Sequence, residues 1–423
     1  MMVGGMKSGM KRGMKSGAGR QEMTKRSGTS RRDFLGKSVT AAIGAPLILK
    51  SSVWGANDRI TTGIIGIGGP AGGGAPGTEL VAVCDVRGDK LARHKNNKNV
   101  TIYRDFRELL ARDDIDAVLI GTPDHWHAIP AIEAAKAGKD IYCEKPMSLT
   151  IREGQAMVRA VRRYARVFQT GSQQRSEYAG KFRHAVEMVR SGRIGELKCI
   201  NVNVGGPSAD CYLPAEPVPD DVDWDMWLGP APWRPFNKGI LRGWRGYRDY
   251  SGGQMTDWGH HHFDIVQWAL DKDGSGPSEI IPPDGKDVKR LTYIYDNGVE
   301  VYHGGAQGAQ IMFTGTEGKV MVDRSTLKTE PESILRTPIG PNEVNLFRSP
   351  GHKKNWVDCI RTRERPICDV AIGYRSVSVC HLGTIASWLK RPLNWDPSKA
   401  QFAGDPEATR WLSLTRRAPW PPG

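Results

Sequence analysis

Long apolar runs are missing from this chain. Its most apolar early stretch, Val39 to Leu49, is eleven residues long, well short of the roughly twenty a membrane-spanning helix needs, so no membrane span is expected. Paired cysteines are missing too. The seven cysteines, at 84, 143, 199, 211, 359, 368 and 380, are odd in number and contain no CxxC spacing, which argues against a zinc site and a complete disulfide framework. Acidic residues are scarce in residues 1–56, where eleven Lys and Arg face only Glu22 and Asp33. That segment holds +9 of the +14 formal charge and leaves +5 for the body. A mildly basic body argues against a nucleic-acid partner.

The basic front end reads as an address. Ser30-Arg31-Arg32-Asp33-Phe34-Leu35 has the form of a twin-arginine signal and precedes Val39–Leu49 and the small residues Ser51, Ser52, Gly55 and Ala56. The expected location is the periplasm, reached by export of an already folded protein. Residues 1–57 are thus set apart as a low-complexity start and signal.

From Ile60 the chain alternates strands and helices. Ile60–Ile65 runs into Gly66-Ile67-Gly68-Gly69-Pro70-Ala71, and the apolar run Leu80–Val83 ends at Asp85, nineteen residues after Gly66. Strand, glycine loop, strand and terminal acid is the dinucleotide-binding order, with the acid set to bond an adenosine ribose. Asp85 favours NAD; Arg87 leaves NADP open. Helix formers are lacking after the loop. Ala71 to Thr78 contains four glycines and a proline, and at roughly 1 kcal/mol per glycine and about 3 for proline no stable helix is expected. Either a wrapped loop supplies the backbone N–H groups or the cofactor site is weakened.

Further strands are predicted at 116–121, 140–143 and 166–170, ending in Thr122-Pro123-Asp124-His125-Trp126-His127, Glu144-Lys145-Pro146 and Gly171-Ser172-Gln173-Gln174-Arg175. Thr150 and Glu153 form a capping box for a helix reaching Tyr164. Five or six such strands make a doubly wound parallel sheet over residues 58–175. Residues 176–423 carry period-2 segments at 198–204, 290–295, 300–303, 310–313 and 319–323. These predict an α+β domain with a mainly antiparallel open sheet whose face meets the first domain.

Within that half, Gly253–Leu270 gathers acid, imidazole and aromatic groups. At about 100° per residue, Asp257, His261, Asp264 and Trp268 share one stripe. Asp257 one turn before His261 is placed to orient the ring as a general acid/base; the alternative is a core histidine on an amphipathic helix. His260, His261 and His262 diverge too widely to chelate one metal together, and no metal site is expected.

GTPDHWH, CEKP, TGSQQR, DWDMWLGP and TDWGHHHFD stand in this order, and with them the chain resembles the glucose-fructose oxidoreductase and inositol dehydrogenase (Gfo/Idh/MocA) family, in its exported bacterial branch. The resemblance implies a catalytic group of Lys145, Asp257 and His261. Gly66, Ile67, Gly68, Asp85, Thr122, Pro123, His127, Glu144 and Lys145 are the implied cofactor-binding positions. Trp126, Gln174, Arg175, Trp258 and His262 are the candidate substrate-binding residues. The expected activity is hydride transfer from a hydroxyl-bearing carbon of a sugar, sugar derivative or cyclitol to NAD or NADP, in a homo-oligomer. Two rival functions are a glycosidase acting by transient oxidation, elimination, water addition and reduction, and a non-catalytic carbohydrate-binding protein with a degraded cofactor loop.

Overall fold

Six short strands, β1 (Ile60–Ile65), β2 (Thr78–Cys84), β3 (Thr101–Tyr103), β4 (Ala117–Ile120), β5 (Asp140–Cys143) and β6 (Phe168–Thr170), form a parallel sheet in the order β3-β2-β1-β4-β5-β6. They belong to a computed structural model that describes residues 59–305 and 311–420. The twin-arginine segment lies outside the described residues.

A parallel sheet has to be covered on both faces, and the alternation along its strands shows how. Ile65, Val118 and Ile120 point into one core with the helices Ala128–Lys136 and Ile151–Arg163. Ile64, Ala117 and Leu119 point to the other, where the covering element is the helix His352–Thr362 with Trp356, Val357, Cys359 and Ile360. After the glycine loop only one 3-10 turn forms, Pro70–Gly73, as its glycines and proline require. A helix from nearly three hundred residues downstream in the sequence takes up the vacant face. Residues 58–175 therefore do not complete their own core.

Thr150 accepts from the Glu153 N–H while Glu153 returns the bond to the Thr150 backbone, so the capping box starts the helix 151–163 as its sequence predicts.

The second sheet has nine strands. β7 (Leu197–Val202), β8 (Glu279–Ile281), β9 (Thr292–Ile294), β10 (Glu300–His303), β11 (Ile311–Gly315), β12 (Lys319–Val322), β13 (Leu327–Glu330), β14 (Leu393–Asp396) and β15 (Gln401–Phe402) lie in the order β13-β12-β11-β7-β10-β9-β8-β14-β15. Only the β7–β10 pair is parallel. Helices Lys181–Arg190, Gly259–Ala269 and Val370–Leu389 pack on one face of it, and Val370–Leu389 also packs on the helix 151–163. The two sheets thus meet through helices. This corrects the expectation of a bare sheet face against the first domain; helices 259–269 and 370–389 are buried nearly all round and fill the space between the layers.

Candidate functional site

Gly66 has φ +80°, and a Cβ there would lie 2.5 Å from the Thr122 backbone nitrogen. Only glycine permits the end of β1 to pass this close to the end of β4, the point where the strand order reverses and where open α/β sheets bind ligands. The Asp85 carboxylate accepts from the N–H groups of Ile67 at 3.0 Å and Arg87 at 3.1 Å, tying the glycine loop to the end of β2. Burial pushes the Asp85 carboxyl up, more than these two bonds pull it down.

A cavity of about 470 Å³ opens at this point. Gly66, Gly68, Asp85, Thr122, Pro123, Trp126, Glu144 and Lys145 all line it. Its opposite wall comes from the second half of the chain: Met226, Trp227, Leu241, Arg242, Trp244 and Arg245. That wall is clamped to the β4 loop, because the Trp227 carbonyl accepts from Trp126 Nε1 at 3.0 Å and meets His125 Nε2 at 3.0 Å. At the adenosine end of the motif a strap crosses β2: Gly88 N–H donates to the Asp221 carbonyl at 2.7 Å, and Asp223 N–H to the Val86 carbonyl at 3.0 Å.

Across the cavity from the loop, Lys145 Nζ donates to Asp257 Oδ1 at 2.7 Å and to the Asp257 carbonyl at 3.0 Å. Arg245 Nε donates to the same Oδ1 at 3.0 Å. Burial raises the Asp257 carboxyl, but the two cations outweigh it and the net shift is downward. Asp257 is therefore an anion holding two cations, and it does not bond His261. The helix is interrupted at Trp258, between Gln254–Asp257 and Gly259–Ala269, and the Asp257 carboxylate is taken by Lys145 and Arg245 instead. His261 is 3% exposed, and its Nδ1 has no partner among the described residues. Burial first, then Lys145 and Arg324, hold its ring neutral with a pKa well below the usual value.

Other sequence candidates are placed differently. Arg175 is spent in a closed cluster with Asp264 at 2.8 Å and Asp273 at 2.7 Å, its guanidinium over Trp268, with 1% side-chain exposure. Nothing remains to reach a substrate. Gln174 is buried and donates to the His261 carbonyl. His127 sits between the carbonyls of Pro146 and Thr122, bracing two loops behind the cavity wall. Ile67 is buried and contributes its N–H to Asp85. Trp258 is half-buried under Arg324, and the buried His262 ring packs on it. His260, set aside on sequence, accepts from the Met147 N–H at 3.3 Å and steadies the loop that carries Lys145.

Sequence reasoning missed Arg245, Arg242, Lys90 and Asp124. Asp124 lines the cavity, accepts from Ser251 Oγ at 2.6 Å, and is pushed up to about 7 by burial. Burial likewise pushes Glu144 up to about 7. The only signals were the arginine spacing in Arg242-Gly243-Trp244-Arg245 and the acid inside TPDHWH.

The residues fit a dinucleotide. Gly68 and Gly69 are exposed, a Cβ on Gly68 would meet nothing nearer than Lys90 Cε at 3.9 Å, and Lys90 lines the cavity. Exposed loop backbone plus a cation suit a pyrophosphate. Thr122 Oγ1 and Glu144 Oε1 are buried without a partner among the described residues, two polar groups that a bound ligand would satisfy.

Two family models match the chain: an oxidoreductase family NAD-binding Rossmann fold over residues 60–172 and an oxidoreductase family C-terminal alpha/beta domain over residues 206–422. A glycosyl hydrolase family 109 protein of Shewanella sp. (strain W3-18-1) is 35% identical over 131 residues, 29% of this chain and 28% of that protein. The match therefore spans little more than a quarter of that relative. The aldose-aldose oxidoreductase of Caulobacter crescentus complexed with glycerol superposes with a TM-score of 0.57 at 19% identity, covering 79% of this chain and 99% of that one. The WlbA dehydrogenase of Bordetella pertussis in complex with NADH and UDP-GlcNAcA does so with a TM-score of 0.57 at 18% identity, covering 80% and 99%. At these identities the two structures establish the shared fold.

Proposed function

The chain belongs to the Gfo/Idh/MocA oxidoreductase family, and from its cleft we propose a nicotinamide-dependent enzyme that removes hydride from a hydroxyl-bearing carbon of a sugar, sugar derivative or cyclitol. The observation that carries this reading is the Lys145–Asp257 pair. It joins a strand end of the first sheet to the helical layer of the second, at 2.7 Å, with Lys145 in the wall of the cavity that also holds the glycine loop.

A bound dinucleotide supplies the hydride acceptor. Lys145, fixed by two bonds to Asp257, presents its ammonium to the substrate oxygen and stabilises the charge that builds there. The hydroxyl proton must leave as well, and the family resemblance assigns it to His261, a neutral ring that is 3% exposed and stands outside the residues lining the cavity. Asp257 acts by holding Lys145. Asp85 and the loop N–H groups receive the adenosine ribose and pyrophosphate, with residues 58–175 as the cofactor domain and 176–423 as the substrate and oligomer domain. Of the wall tryptophans, Trp126 and Trp227 are buried against other rings, and the half-buried Trp244, covered on one side by Arg245, is the one that offers a face to sugar C–H bonds. Neighbouring enzymes named for aldoses and a nucleotide sugar support the substrate class. Twin-arginine export to the periplasm completes the proposal.

The test is nicotinamide reduction by the purified protein across aldoses, amino sugars and cyclitols. Lys145→Met should lower turnover by about 10²–10³-fold, and wild-type-like rates in that variant would reject the assignment. The family 109 relative favours one second reading, glycoside cleavage through transient oxidation. Release of an aglycone with no net NADH would select it.

A further inference from the structure

Arg245 reaches the cavity half-committed. Its Nε is used on Asp257 at 3.0 Å, its guanidinium stacks on Trp244 at 4.2 Å, and its side chain is 48% exposed. Its two Nη groups have no protein partner among the described residues. Arg242, one helical turn earlier on the same wall, is exposed and has no protein partner among the described residues either. With Lys145 these make three cations in the cavity wall, against Asp257, which Lys145 and Arg245 share, and Asp124 and Glu144, which burial raises to about 7.

A neutral polyol would leave this surplus to water. A planar anion would not. Asp257 occupies Nε and leaves the two Nη groups of Arg245 as a pair of donors, the set that matches the two oxygens of a carboxylate. The charge also concentrates anions in a low-dielectric cleft. Resting on the oxidoreductase reading above, we infer that the substrate is a carboxylate-bearing sugar, a uronate or related sugar acid, held by its carboxylate on Arg245 and Arg242 so that a ring or chain hydroxyl faces Lys145. The inference is specific to this chain, because it rests on the unpaired Arg242 and Arg245 groups of its own cavity wall.

The probes are D-glucuronate and D-galacturonate against glucose, galactose and glucose 6-phosphate. Binding is measured by calorimetry on the protein with NADH present, and turnover is measured with NAD and NADP. Uronates should bind at least about tenfold more tightly than the matching aldoses, the scale of one charge-assisted hydrogen bond, with an advantage that shrinks as salt rises. Arg242→Met, which leaves the Asp257 contacts intact, and Arg245→Lys, which keeps the charge but loses the paired donors, should each cut the uronate-to-aldose ratio several-fold. Equal or weaker uronate binding, or a preference for the sugar phosphate, overturns the inference. So does a loss of NADH affinity in either variant with an unchanged ratio, which would place the arginines on the dinucleotide. Failure of wild-type protein to bind NADH or turn over any probe would instead reject the oxidoreductase reading itself.

Discussion

Asp257 is the residue on which the site closes, and its role follows from charge. One carboxylate oxygen receives both Lys145 and Arg245. Asp257→Asn keeps the shape and removes the charge, leaving two cations without their counter-ion in a largely buried position. The expected outcome is a fall in kcat/KM of about 10²-fold, from a cost of roughly 2–5 kcal/mol for breaking such a pair, with the fold retained by circular dichroism. Because the Asp257 carboxyl is held below its ordinary range, the pair is intact above that range and is lost as pH falls through the lowered value. Activity should therefore not fail on the acid side from this group until below about pH 4. The sequence named Lys145, Asp257 and His261. It placed Asp257 on His261, because a 3.6-residue stripe does not show that Lys145 and Arg245 take the carboxylate.

At the scale of elements, the glycine loop works without a following helix. It is braced instead by Asp85, by Lys353 Nζ on the Gly74 carbonyl at 2.6 Å, and by the close crossing of Gly66 with Thr122. The helix dipole that would attract a pyrophosphate is missing, and Lys90 beside Gly68 is the local substitute. Lys90→Ala should weaken NADH and ADP-ribose binding by about tenfold and flatten its salt dependence, while thermal stability stays within about 0.5 kcal/mol, as for most surface positions; calorimetry at two ionic strengths checks this. Thr150→Ala removes the capping box of helix 151–163 and should cost about 1 kcal/mol in urea unfolding. The capping box and the helix-free loop were legible in the sequence because both depend on residues within a single eight-residue stretch or less. The strands β8, β13, β14 and β15 were not, being two to four residues long and defined by their partners.

At the scale of the whole molecule, the two halves of the chain share their cores. Trp356, fully buried against the first sheet, should cost about 3–5 kcal/mol when replaced by alanine and should weaken cofactor binding along with stability, measured by urea unfolding with and without NADH. Acid should act globally too. His125, His127, His352 and His381 are lowered to about 4 and His260 to about 3, in each case chiefly by burial. A folded-state value below the unfolded one means that the unfolded chain binds more protons between about pH 4 and 6.5, so stability falls as pH drops through that window. His94, His261 and His303 are lowered as well, while Asp85, Asp124, Glu144, Glu153, Asp249 and Asp264, all raised chiefly by burial, work in the opposite direction. With eight histidines against six carboxyls, urea midpoints should decline modestly from pH 7 to pH 5; a rise would mean that the buried carboxyls outweigh the histidines. Export is tested separately: Arg31→Lys with Arg32→Lys should retain the protein in the cytoplasm.

The sequence by itself determined the alternation of strands and helices in the nucleotide fold, the missing helix after the glycine loop and the motifs that carry Lys145 and Asp257, since these follow from local periodicity, glycine and proline chemistry and short spacings. Tertiary structure alone decided that helix 352–362 completes the first sheet, that Arg175 is sealed away with Asp264 and Asp273, and that Arg245 joins Lys145 on one carboxylate. These are contacts between residues 12 to nearly 300 positions apart in the sequence. No local pattern encodes them, because burial and charge pairing are settled only when the layers close on one another.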